Sequence, residues 1–69
     1  MKTDIIIRMN DGKLHVFQNV ISWSDYKDKH ESIEVRYLKS KIPKKFKKKE
    51  VLYLIVMTDR CVMTWNFND

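Results

Sequence analysis

Read as a pattern of apolar and polar positions, the chain falls into short strand-like stretches and offers no long helix. Residues Asp4–Met9 are dense in β-branched side chains and run directly into Asn10, Asp11 and Gly12. Asp-Gly between two apolar stretches predicts a hairpin, because a tight turn there needs a residue at positive φ. Two registers fit the pattern. A two-residue loop pairs Ile7 with Val16 and Ile6 with Phe17; a three-residue loop with a bulge pairs Ile6 with Val16 and Ile5 with Phe17. Val20, Ile21 and Trp23 extend the second strand past a bulge at Gln18 and Asn19.

Residues 24–32 (SDYKDKHES) are polar and fit a hairpin loop better than a short helix capped by Ser24, since too few apolar residues are present to hold one. Residues 32–38 alternate, with Ile33, Val35 and Tyr37 on one side and Glu34 and Arg36 on the other, as in a strand wet on one face. Val51–Met57 is apolar at every position, which predicts a central strand. Residues 61–67 alternate again, setting Cys61, Met63, Trp65 and Phe67 on one face; Trp65 is expected in the core.

The sum is a mainly all-β chain: a five-stranded antiparallel meander sheet or partly closed barrel, with at most one short helical turn, in a single domain over residues 1–69. Both sides of the fourth strand are apolar, so one side needs a cover that a single small sheet does not supply. That predicts an apolar sheet face available to a partner or to a second copy in a homo-oligomer.

Charge changes the picture more than composition does. Residues 39–49 (KSKIPKKFKKK) hold seven of the fourteen Lys and Arg residues; the rest of the chain has seven against nine Asp and Glu, a formal charge of −2 beside the overall +5. The protein is therefore a slightly acidic domain with one cationic segment. Pro43 and the unfavourable placing of lysines in a first helical turn predict a loop there, with Ile42 and Phe46 as its attachments to the core. Lys41, Lys44, Lys45, Lys47, Lys48 and Lys49 are the candidate contacts for nucleic acid or another polyanion, with Phe46 for stacking or anchoring. The run has no arginine, which argues against base-specific readout. Trp23, beside the polar loop, is a candidate anchor for a protein partner.

Candidate chemistry is sparse. His15, His30 and Cys61 lie on separate elements without the close spacing of zinc ligands, and Cys61 inside an apolar alternation reads as a buried thiol. Asp25, Asp28 and Glu31 read as part of a solvated loop, and Gly12, the only glycine, makes no phosphate cradle. We expect neither catalysis nor a cofactor or metal. A lone cysteine points to a reducing, cytoplasmic setting, and the apolar runs at residues 5–7 and 51–57 are too short for a signal segment or a membrane helix.

The opening pattern, Ile7 through Asp11-Gly12 to Phe17 with Asn19-Val20 following, resembles the first hairpin of small orphan β proteins of phages and prophages in low-GC bacteria. Short length and richness in Lys and Ile are similar too. The resemblance implies an accessory protein that binds and modulates a host protein or nucleoprotein, anti-defence inhibitors among them.

Overall fold

The computed structural model describes residues 2–25 and 32–67. Among the described residues there are seven strands: β1 (Asp4–Met9), β2 (Leu14–Phe17), β3 (Val20–Asp25), β4 (Ser32–Tyr37), β5 (Lys44–Lys47), β6 (Val51–Met57) and β7 (Val62–Asn66). A single 3-10 turn, Lys48–Glu50, joins β5 to β6. The strands form two antiparallel sheets, ordered β2-β1-β6-β7 and β3-β4-β5. The mainly β class stands as expected; the one short helical turn among the described residues falls at Lys48–Glu50, at the end of the segment expected to be a loop. The single five-stranded sheet is corrected to two sheets of four and three strands, and no closed barrel forms. No helix among the described residues is long and apolar enough to cross a membrane.

The two additional strands have identifiable causes. Asn19 takes φ 54, a left-handed conformation that Asn tolerates better than most residues. The chain turns there from the larger sheet into the smaller one, so β2 and β3 are separate strands. Both sides of the turn are tied: the Val20 amide donates to the Thr3 carbonyl at 2.8 Å, and the Leu38 amide to the Asn19 carbonyl at 3.1 Å. The other new strand, β5, lies inside the lysine-rich segment and pairs with β4 through Ile33 opposite Phe46 and Glu34 opposite Lys45. One inward aromatic residue between lysines is enough to dock an edge strand.

The first hairpin takes the three-residue register, with Ile5 opposite Phe17 and Ile6 opposite Val16. The Gly12 amide donates to the Met9 carbonyl at 3.0 Å and the Met9 amide to the Lys13 carbonyl at 2.8 Å. Gly12 sits at φ 95, where a side chain is strained, and Asp11 Oδ1 accepts the Lys13 amide at 2.9 Å.

The inward sides of the sheets meet in one core made of Ile5, Ile7, Phe17, Ile33, Val35, Val51, Leu54 and Val56. Strand β6 is internal to its sheet, as its composition predicts, with β1 on one side and β7 on the other. Its alternation breaks where the β1–β6 register shifts: Met9 pairs with Val51 but Arg8 with Tyr53, leaving Leu52 as the extra residue. Val51, Leu54 and Val56 therefore share the core side although their numbering does not alternate, and Leu52 is exposed.

Aromatic contacts cross between the sheets on both flanks. On one, Phe46 lies 5.0 Å from His15 and 5.8 Å from Phe17, ring centre to ring centre, and Phe17 lies 5.0 Å from Tyr37. On the other, Trp23 and Trp65 meet edge to face at 5.2 Å.

Candidate functional site: a lysine-bearing edge and an apolar sheet face

The lysine-rich segment is not the loop its composition suggests. Residues 38–43 form turns and bends, Lys44–Lys47 is the edge strand of the smaller sheet, and Lys48–Glu50 is the 3-10 turn. Both ends are fastened to the larger sheet's connections: the Leu38 amide reaches Asn19, while Asn10 donates from its backbone amide to the Glu50 carbonyl and from Nδ2 to the Lys49 carbonyl, each at 2.8 Å. Within the preceding bend, Ser40 Oγ bridges the amide and carbonyl of Ile42. Lysines on such a backbone project from defined positions.

Lys45 and Lys47 share the outward side of the smaller sheet with Glu34, Arg36 and Ser32. Glu34 is shared by Arg36 Nε at 3.8 Å and Lys45 Nζ at 3.9 Å, both partly exposed contacts that add little stability. Lys39, Lys41, Lys44 and Lys47 make no ion pair among the described residues. Lys44 is exposed at the sheet edge, and Lys41 is exposed in the bend before it.

Four expectations are corrected here, in whole or in part. Of the two roles expected for Phe46, anchoring to the core stands and free stacking does not: its ring is half-buried against His15 and Phe17, because its position on β5 faces the same way as Ile33 opposite. Ile42 does not pin the segment to the core; it is 74% exposed, since the bend at Ser40 turns it outward. Cys61 is exposed, lying in the turn before β7 with its sulfur 3.6 Å from Thr58 Oγ1. Trp23 is half-buried on the inward side opposite Val35 and engaged with Trp65, so it offers no free anchor. Trp65 is half-buried and packed against the core.

The second feature is the outward side of the larger sheet. Across its middle run Val16, Ile6, Ile55 and Thr64, paired strand to strand. One row away stand Leu14, Arg8, Tyr53 and Asn66; in the other direction Asp4, Met57 and Val62. Leu14, Val16 and Val62 are 51, 57 and 66% exposed, and Ile6, Tyr53, Ile55 and Met57 are half-buried. This is the uncovered side of the apolar strand that the sequence implies. Among the described residues of these three rows, the charged side chains are Asp4 and Arg8.

Nothing in the described residues gathers reactive groups. No set of three His, Cys, Asp or Glu side chains could hold a metal ion among them. Of the polar stretch 24–32, Ser24 and Asp25 end β3 and Ser32 opens β4, so neither the Ser24 cap nor a loop at these positions stands; Asp28, His30 and Glu31, and the choice between loop and helix for the residues between, lie outside the described residues. An open depression of about 310 Å³ beside the first turn is lined by Met9, Asn10, Asp11 and Glu50, and Asp11 already accepts the Lys13 amide there. No protein-family model matches the chain, and neither a curated protein nor a solved structure matches it.

Proposed function

We propose that the protein is a non-catalytic binding module that takes up a polyanion, nucleic acid foremost, along the lysine-bearing edge built on β5. The observation that carries this reading is the fastening of the segment at both ends. Its ammonium groups stand on an ordered strand and lose little backbone freedom when a ligand arrives. Lysine and proline at a sheet edge also guard against edge-to-edge pairing of strands. That role needs only the residues on β5, whereas the positive charge continues through Lys39 and Lys41 on one side and the 3-10 turn on the other.

Without arginine in the run, each lysine supplies a point charge to a phosphate and no forked contact to a base. Without a free aromatic ring, nothing favours an unstacked strand. Binding is therefore insensitive to sequence, and duplex is held at least as tightly as single strand because its phosphate density is higher. The test is binding of random-sequence duplex oligonucleotide across a salt series. Four to six neutralised phosphates give a log–log slope of about −3.6 to −5.4 on duplex. Absence of binding at low salt refutes the reading.

A second reading is favoured by one observation, the apolar outer side of the larger sheet. In it the protein is a phage-type accessory or inhibitor that grips a host protein or nucleoprotein, with the lysines steering an acidic partner. A pull-down from nuclease-treated bacterial lysate that retains one protein, and loses it in a Lys44→Glu, Lys45→Glu, Lys47→Glu variant, would favour that reading over the first.

A further inference from the structure

Strand β1, internal to the larger sheet, carries on its outward side a pair of opposite charges that do not meet each other within one chain. On the outward side of β1 the order is Asp4, Ile6, Arg8: an acid, an apolar residue and a base at alternate positions. Arg8 is half-buried between Leu14 and Tyr53 and makes no ion pair among the described residues. Asp4 accepts the Asn19 amide through Oδ1 at 3.3 Å, which leaves Oδ2 for another donor. Further desolvation of a guanidinium on an apolar surface is costly unless a carboxylate meets it.

We propose that two copies of this chain pack face to face through this side of the larger sheet, with β1 of one lying antiparallel over β1 of the other. A two-fold axis in the plane of contact at Ile6 sets Ile6 over Ile6 of the second copy and brings Asp4 of each copy to Arg8 of the other. The strand is self-complementary in that orientation and in no parallel one, where like charges would meet. The surrounding surface suits the same partner, since Val16 and Ile55 flank Ile6 on either side. Charge is compatible as well: Asp4 and Arg8 cancel, and the lysines of β5 belong to the other sheet. Two chains of net charge +5 can therefore stack without bringing their cationic edges together.

Size sets the strength of the contact. Four strands about 4.8 Å apart and five to six residues at about 3.3 Å give a face of roughly 19 by 20 Å, which fits on a molecule with extents of 30 × 26 × 24 Å. That is roughly 380 Å² of plane per copy, below the size of a stable specific interface, so the dimer is weak, reversible and concentration-dependent. The inference stands independently of the polyanion reading, because it uses the opposite side of the molecule.

Sedimentation of the full chain from about 10 μM to about 1 mM, a range suited to weak association, should show the mass rise from 8.4 kDa towards twice that value. Arg8→Asp should weaken association at least about tenfold, and Asp4→Arg with Arg8→Asp together should restore it. Ile55→Lys, an outward position whose change leaves the core intact, should abolish it, with circular dichroism confirming the fold. A monomer throughout the concentration range overturns the proposal and returns this face to a foreign partner. A dimer indifferent to both Arg8→Asp and Ile55→Lys overturns it equally, because its interface then lies elsewhere.

Discussion

The two outward sides of this molecule follow the same alternation and are made of opposite materials. Across the middle of the larger sheet the outward row is Val16, Ile6, Ile55 and Thr64; across the smaller one it is Ser24, Glu34 and Lys45. The inward sides are alike, aliphatic and aromatic in both sheets and merged in one core. Folding needs only the inward sides. The outward sides are free to differ, and their difference points outward: an apolar face asks for a surface to cover it, and a polar face whose edge strand carries lysines asks for negative charge along that edge. A chain of 69 residues thus has room for two chemically distinct surfaces around a single small core.

The largest effects belong to the shared inward layer. Leu54→Ala and Ile33→Ala, one from each sheet and both fully buried, should each lower unfolding free energy by about 2–5 kcal/mol in denaturant titrations. A small loss at either would mean that the two sheets do not share one cooperative core. Phe46→Ala comes next, at about 2–3 kcal/mol, below a fully buried Phe because the ring is half-covered. Oligonucleotide affinity measured below the melting transition should be unchanged; a large loss of affinity with little loss of stability would reinstate Phe46 as a contact residue.

The outward sides should give the smallest effects on stability. Val16→Thr on one and Glu34→Gln on the other should each shift the unfolding free energy by no more than about 0.5 kcal/mol at concentrations where the chain is monomeric. A shift of several kcal/mol at Val16 would show that its side is covered within the monomer and would remove the contrast between the faces.

Much of the fold was legible because the alternation survives in the strands with one wet side. Ile33, Val35 and Tyr37 sit inward on β4 as their spacing implies, and β6 is internal because every residue in it is apolar. Where reading failed, a local signal was outweighed by pairing partners distant in sequence. In KKFK the charge and the preceding Pro43 point to a loop, yet Phe46 opposite Ile33 makes it a strand. Asn19 offers only a polar break, and its left-handed backbone decides which sheet the next strand joins. The bulge at Leu52 shifts the core set on β6, and no composition rule reports a bulge. For the candidate site, the lysines were visible from charge alone, while the burial of Phe46 and Trp23 depended on aromatic partners in the other sheet.

The division of the molecule into a cation-bearing edge and a neutral apolar face is tested most directly by the salt dependence of duplex binding in two lysine variants, compared with the unaltered chain. Lys39→Gln with Lys41→Gln alters only the bend outside β5; Lys44→Gln with Lys47→Gln alters the strand. If the charge along residues 39–49 forms one polyanion site, each pair should reduce the magnitude of the log–log slope by about 1.5–2, with the fold and the dimer constant unchanged. If the lysines serve only to keep the sheet edge unpaired, the first pair should change nothing and the second should produce aggregation without any change in slope, which would contradict the account.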